Sequence, residues 1–280
     1  MIPYDCMSKT GKIPDTISAT GMEWTNVKPP VQGWAFQIMM KKNAYFSKAK
    51  VIEEAYFAMK HNTDWWLNFK NGIPLYMHGN DSGCDNSTCF DNADCIASPD
   101  LIAFLAIQCE CLSVLAEKLG LFTDCRKYKE QSDRLVKCAE EFFDGRVFVR
   151  DGNSGQRYDT DSLMPLRALL LGEKLPLKMR EYIISRLKKD FLSEYGLTSE
   201  ALTSEKYMKD GYWRGAIWNP DQYMMYDACI KIGEYDLADK IIKSFKDAVK
   251  KGAFYENYDP YTGQGQRCKN YSWSVSAFCL

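Results

Sequence analysis

An all-α fold, a toroid of paired helices of the (α/α)6 kind, is what this 280-residue sequence predicts, and three features carry that prediction. Apolar residues recur at three-to-four spacing through most of the chain, and glycines stop those runs at short intervals. Between them lie long polar stretches that hold most of the remaining glycine, asparagine and aspartate. Tight stops alternating with long loops are what a ring of helical hairpins needs, with short turns on one face and site-building loops on the other.

Taken in order, a first helix pair fills roughly residues 31–70, starting from Trp34. The clearest pair begins at Ser98-Pro99-Asp100, an N-cap followed by proline at the first helical position, and runs through Leu101, Phe104, Leu105, Leu112 and Leu115 to Gly120. Its partner starts near Asp124 and closes at Phe143-Asp144-Gly145. Further pairs cover roughly 160–171 with 176–187 around Gly172, and 214–232 with 234–250 around Gly233. Tyr271 to Leu280 reads as one more inner helix that ends abruptly. The loops are 71–97, 146–160, 190–213 and 252–270; turns such as Asp144-Gly145 and Asp151-Gly152 suggest small strands inside them, and strong β candidates are otherwise nearly absent. With neither a low-complexity linker nor a block of like charge, residues 1–280 are expected to form a single domain.

Composition narrows the function. Lys and Arg total 36 against 37 for Asp and Glu, so no single-sign field exists to steer a polyanion, and nucleic acid is an unfavoured partner. Aromatic residues make up 14% of the chain, many beside Asp, Asn, Arg or Gly in loops. Most should fill the core, while those in loops suit neutral hydroxyl-rich ligands, stacking on a sugar's C–H face as polar neighbours bond its rim. Eleven cysteines, an odd number, read as reduced thiols used as small hydrophobes. Only His61 and His78 are present and neither CxxC nor HExxH occurs, so no metal site or cofactor is expected. The start lacks a basic segment followed by an apolar run, and no stretch approaches 18 consecutive apolar residues, which makes the cytoplasm the simplest expected home.

Three segments carry chemistry. His78-Gly79-Asn80-Asp81-Ser82-Gly83-Cys84-Asp85-Asn86-Ser87 packs two carboxylates, small polar side chains and two glycines ahead of a helix, either to bring an acid against a ligand or simply as a series of Asx turns. Gly211-Tyr212-Trp213-Arg214-Gly215-Ala216-Ile217-Trp218-Asn219-Pro220 sets two tryptophans and an arginine between glycines. It reads as a sugar subsite, with Arg214 bonding hydroxyls and Trp213 or Trp218 offering a stacking face, or as two core tryptophans with a surface arginine. Phe254-Tyr255-Glu256-Asn257-Tyr258-Asp259-Pro260, followed by Thr262-Gly263-Gln264-Gly265 and Tyr271-Ser272-Trp273, sets a lone glutamate among aromatics, suited to acid–base work or else a solvated loop residue.

Together these segments resemble the six-hairpin glycosidases, specifically glycoside hydrolase family 63 and its relatives in the trehalase and glycogen-debranching groups. The family's acid loop, Glu-Ser-Gly-x-Asp-x-Ser, places a general acid on Asp85. Its Tyr-Trp-Arg-Gly-x-x-Trp pocket segment matches Tyr212 to Trp218, and its Tyr-Glu-x-Tyr/Phe-x-Pro-x-Thr-Gly segment places the base on Glu256. Pro29-Pro30-Val31-Gln32-Gly33-Trp34 resembles the family's Pro-Pro-x-x-Gly-Trp start of an inner helix. The resemblance thus implies catalytic Asp85 and Glu256, with substrate contacts from Trp34, Asp81, Tyr212, Trp213, Arg214, Trp218, Tyr255 and Trp273. Asp81 stands where the family has glutamate, one methylene shorter, so its contact in the pocket is expected to differ.

The resemblance implies hydrolysis of an α-linked glucoside or related sugar with inversion, through one acid and one base and without metal or cofactor. An epimerase, lyase or phosphorylase on the same fold is disfavoured because both histidines lie outside the second and third segments. A non-catalytic carbohydrate-binding remnant is the alternative from another class. A full toroid has about twelve helices against about nine read here, so the ring is expected to be incomplete, leaving the 31–70 pair with an uncovered apolar flank that favours self-association.

Overall fold

The computed structural model describes residues 2–68 and 72–279. In chain order it opens with a helical turn, α1 (Ile2–Asp5), and a hairpin, β1 (Thr16–Ser18) with β2 (Gly21–Glu23). Helices α2 (Gln32–Lys42) and α3 (Ala49–Trp66) follow, then β3 (Ile96–Ala97), α4 (Pro99–Lys118) and α5 (Phe122–Glu140). After β4 (Phe148–Asp151) and β5 (Arg157–Asp159) comes a 3-10 helix, Met164–Lys174, and then α6 (Leu177–Arg186). Strands β6 (Leu192–Ser193), β7 (Gly196–Leu197) and β8 (Ile217–Trp218) lead into α7 (Asn219–Lys231) and α8 (Tyr235–Gly252). Strands β9 (Tyr255–Tyr258) and β10 (Gly265–Lys269) precede α9 (Ser272–Phe278). The end of the expected 31–70 pair falls partly on residues 69–71, and Leu280 of the last expected helix also lies outside the described residues.

The inner layer is a run of neighbours: α2 packs on α4, α4 on the 164–174 helix, that helix on α7, and α7 on α9. Outside them, α5 lies along α4, α6 against the 164–174 helix and α8 along α7. Helix α4 is the axis of this arrangement. Its sequence is apolar enough over 18 residues to pass for a membrane span, yet 89% of that window is buried inside the protein, which makes it a core helix. α8 shows the opposite pattern, burying Leu237, Ala238, Ile241, Phe245, Ala248 and Val249 at helical spacing while lysines face water. Polar groups fix the close contacts. Gly33 brings α2 so near α4 that a methyl there would meet the Gln108 Cα at 2.5 Å. Gln108, fully buried, accepts from the Gly33 N–H at 3.2 Å and donates to Thr63 Oγ1 at 3.0 Å, so one amide satisfies both flanking helices.

The sequence expectations need four corrections. Helices α2 and α3 both lean on α4 more than on each other, so residues 31–70 are not a simple hairpin. The stretch 160–171 begins as irregular chain with one isolated bridge, Ser162 to Glu200, and becomes a 3-10 helix interrupted at Gly172 (φ 61°, ψ −133°), a conformation that favours glycine. Residues 214–218 are loop and strand, because α7 starts only at Asn219 with Pro220 in its first turn. Finally, Ser98 holds the N-cap position of α4 without capping it; its hydroxyl turns to the Asp100 carboxylate instead. Ten short strands occur among the described residues, in four small sheets; seven lie in the expected loops, while β1 and β2 precede the first helix pair and β8 falls in the stretch expected to open a helix.

Candidate active site

The sheet β8–β9–β10 does the first assembly. Antiparallel pairing sets Ile217 opposite Tyr258 and Trp218 opposite Asn257, so the Tyr-Trp-Arg segment is held beside Glu256 although about forty residues of sequence separate them. The acid loop is docked by Asn86, the neighbour of Asp85: its Oδ1 accepts from the Trp213 N–H at 2.9 Å and its Nδ2 donates to the Gly211 carbonyl at 3.0 Å. Within that loop, Ser82 Oγ donates to the Gly79 carbonyl at 2.6 Å and accepts from the Cys84 N–H at 3.0 Å.

A cavity of about 380 Å³ results, at the N-terminal ends of the inner helices. Asp85, Tyr212, Trp213, Trp218, Glu256 and Trp273 all line it. Its floor is aromatic. Trp213 and Trp218 stack with centroids 3.9 Å apart and planes within 6°, and Trp273 meets Trp218 edge-on at 5.7 Å. Trp218 is held by its Nε1–H on the Tyr212 carbonyl at 3.1 Å, and Trp273 by its Nε1–H on the Glu256 carbonyl at 3.1 Å.

The two carboxylates differ in setting. Burial pushes the Asp85 carboxyl above the ordinary aspartate range, opposed by Lys28, whose Nζ lies 3.7 Å away, and reinforced by Asp15. Lys28 in turn pairs with Asp15 at 2.8 Å and donates to the Asn80 carbonyl at 3.0 Å. Glu256, 8% exposed, accepts from the Tyr212 hydroxyl at 3.2 Å on Oε1 and from the Cys268 N–H at 3.4 Å on Oε2. Burial, then Asp85, then Glu256 push the Tyr212 phenol upward, so it stays protonated and able to donate. One carboxyl inclined to keep its proton and one supplied with donors are the materials of an acid and base pair.

Four expected site residues lie outside this cavity, each for a visible reason. Asp81 is buried and accepts from the Val27 N–H at 2.9 Å and the Met77 N–H at 3.0 Å, so it staples two backbone segments together. Arg214 turns away from the cavity, its Nε donating to the Asn86 carbonyl at 2.9 Å and its Nη2 pairing with Asp91 at 2.5 Å. Trp34 faces a separate cavity of about 230 Å³ between α2 and α7, where its Nε1–H donates to Asp227 at 2.7 Å. Tyr255 alternates with Glu256 along β9, and its ring packs beside Gly265 with Lys269 Nζ 5.6 Å from its centre.

Lys28, Met224 and above all Arg167 line the cavity although nothing in the sequence reading marks them, and so does Tyr271, quoted in the third segment without a role there. Arg167 is buried, pairs through Nε with Asp221 at 2.6 Å, donates to Cys84 Sγ at 3.0 Å and stands 5.6 Å from the Trp213 ring. Burial opposes its charge, but Asp221, with Cys84 and Asp100 beside it, outweighs that and holds Arg167 cationic. The signal was present, since one arginine interrupts the apolar run Leu166 to Leu171. This buried cation, with Asp85's neighbour Lys28, supplies the positive charge that Arg214 was expected to bring.

Residues 5–274 match the model of the mannosylglycerate hydrolase MGH1-like glycoside hydrolase domain. Mannosylglycerate hydrolase MGH1 of Selaginella moellendorffii is 30% identical over 86 residues, which are 31% of this chain and only 17% of that relative's own length. Among solved structures, the family 63 mannosylglycerate hydrolase of Thermus thermophilus, in complex with glucose, superposes with a TM-score of 0.84 at 18% identity, covering 99% of this chain and 86% of that one. Neutral trehalase of Saccharomyces cerevisiae superposes with a TM-score of 0.60 at 14% identity over 81% of this chain and 42% of its own. These likenesses show the helical-toroid fold of the six-hairpin group.

Proposed function

The chain belongs to the mannosylglycerate hydrolase MGH1-like family of glycoside hydrolase domains, and from that premise we propose that it hydrolyses an α-linked glycoside with inversion, Asp85 acting as general acid and Glu256 as general base. The observation that carries this reading is the meeting of those two carboxylates, 171 residues apart in sequence (256 − 85), on the walls of one aromatic-floored cavity.

In this mechanism the sugar lies against the tryptophan floor. Asp85 delivers its proton to the leaving oxygen as the glycosidic bond lengthens, while Glu256 takes a proton from the water that attacks the opposite face. Lys28, 3.7 Å from the acid, stands on the leaving-group side and favours an aglycone bearing a carboxylate, as in the mannosylglycerate for which the family is named. The sugar proposed is α-mannose or α-glucose.

Proton NMR of the anomeric signal tests the mechanism. A freshly cleaved α-glycoside should release the β-anomer before mutarotation mixes the two; release of the α-anomer overturns inversion. In a crystal of the substrate complex the two carboxyl groups should stand roughly 6.5–9.5 Å apart, leaving room for water, rather than the roughly 5–5.5 Å of a retaining pair. Glu256→Gln should abolish turnover on every substrate, whereas Asp85→Asn should spare glycosyl fluorides, which need little protonation. Sugar binding without turnover in the unaltered chain would support the carbohydrate-binding alternative.

A further inference from the structure

Glu256 is held by two donors that come from unusual backbone. Tyr212, which reaches Oε1, has φ of 63°, and Arg267, which precedes the N–H that reaches Oε2, has φ of 65°. Left-handed φ in non-glycine residues is uncommon and persists where the surroundings enforce it, often at functional sites. At Arg267 it coincides with an irregularity in the β9–β10 pairing between Gln266 and Lys269, and such bulges re-aim a backbone group. Here the group re-aimed is the Cys268 N–H, turned toward Glu256.

The two strained positions are also tied to each other. The Arg267 guanidinium pairs with Asp210 Oδ1 at 2.7 Å and donates to the Asp210 carbonyl at 3.3 Å, two residues before Tyr212. Its centre lies 6.0 Å from the Tyr212 ring. The loop that carries one donor is thereby fastened to the bulge that carries the other.

We propose that Arg267 is a positioning residue for the base Glu256: its left-handed backbone presents the Cys268 N–H to one carboxylate oxygen, and its bond to Asp210 keeps the Tyr212 hydroxyl on the other. This rests on the assignment of Glu256 as base. Arg267 touches the reaction only through that carboxylate. Both hydrogen bonds are long at 3.2 and 3.4 Å, as catalytic contacts often are before substrate binds and tightens them. Because the ion pair is at the surface, with side chains 36% and 63% exposed, it adds little to folding stability, so its value lies in placement.

Three variants separate the two routes. Arg267→Val disfavours left-handed φ and should lower kcat roughly tenfold to hundredfold, the range expected when a catalytic group is misplaced by about an ångström. Arg267→Ala keeps a backbone no more strained than arginine's and removes the guanidinium, so a smaller loss is expected; Arg267→Lys, which keeps the charge, should restore part of it. KM should stay within about twofold in all three. The loss should also be equal on glycosyl fluorides and on substrates with poor leaving groups, because activation of water is needed for both. Wild-type kcat in a folded Arg267→Val protein, or a loss confined to poor leaving groups, overturns the positioning role alone. If Arg267→Val does not fold, Ala and Lys variants equal to wild type overturn it. An unaltered chain that turns over no glycoside overturns the assignment of Glu256 and this inference with it.

Discussion

Trp213 is at once core and pocket. It is 4% exposed, stacked on Trp218 and covered by the Arg167 guanidinium, yet it also lines the cavity. Trp213→Ala should therefore weaken sugar binding and also cost about 3–5 kcal/mol of stability, the range for deleting a buried aromatic. Arg214→Ala, whose side chain pairs with Asp91 outside the cavity, should leave sugar affinity near wild type, with calorimetry reading the affinity and denaturant titration the stability. A large affinity loss in Arg214→Ala with stability unchanged would return that arginine to the site. The acid invites a second residue-scale test. Lys28 favours the ionised form of Asp85, whereas catalysis needs the protonated form. Removing the charge with Lys28→Met lets Asp85 keep its proton to higher pH, so the alkaline limb of kcat/KM should move up. Asp15→Asn should move it down, since Asp15 pushes the same carboxyl the other way. A limb that shifts oppositely in either variant contradicts the acid assignment.

At the scale of elements, the acid loop depends on a close approach that only glycine permits. A methyl on Gly79 would sit 2.2 Å from the Asp85 carbonyl oxygen, which is backbone and cannot swing aside. Gly79→Ala should open the loop, cost about 1–3 kcal/mol as overpacking does, and lower kcat on poor leaving groups far more than on glycosyl fluorides. An equal effect on both substrates would place the damage elsewhere. The helical frame was legible in the sequence because long periodic runs such as 99–118 and 235–252 leave little choice of structure. What escaped was set by partners distant in the chain. Residues 214–218 carry helix-like spacing, but Ile217 and Trp218 at their end are taken into a sheet by β9, and 160–163 are held by backbone bonds to residues 199–201. The site divides the same way. Motif order marked Asp85, Glu256, Trp213, Trp218 and Trp273 as neighbours in the cavity. A motif does not record direction, so Trp34 read as a pocket residue when it faces another cavity, and Arg214 and Asp81 when they bind loops together. Arg167 was missed because its role depends on Asp221, 54 positions away.

At the scale of the molecule, the cavity has walls from residues 28–31, 82–85, 167, 212–224, 256 and 271–273, segments that meet only in the folded chain. The apolar core that supports them is largely continuous, running from Tyr4 to Ile241 through all the inner helices up to α7, with a smaller cluster under β9 formed by Tyr195, Ile217, Phe245 and Tyr258. Such a core predicts that residues 1–280 melt in one cooperative transition, and that a ligand which binds only the assembled cavity raises that transition as a whole. At a ligand concentration of one hundred times Kd the stabilisation is about 2.7 kcal/mol. For a chain of this size each kilocalorie moves Tm by about 2–4 °C, so a rise of roughly 5–10 °C is expected. Glu256→Gln is the suitable protein, because it should hold substrate without consuming it and loses only the group that activates water. Sorbitol at the same concentration corrects for the general stabilisation that polyols give by exclusion from the surface. Calorimetric scans then decide the matter. A single peak shifted by substrate beyond the sorbitol control is the expected result. Two peaks, with only the later-melting one responding, would mean that the smaller cluster under β9 melts apart from the helical core, and that Glu256 meets Asp85 across a boundary between units.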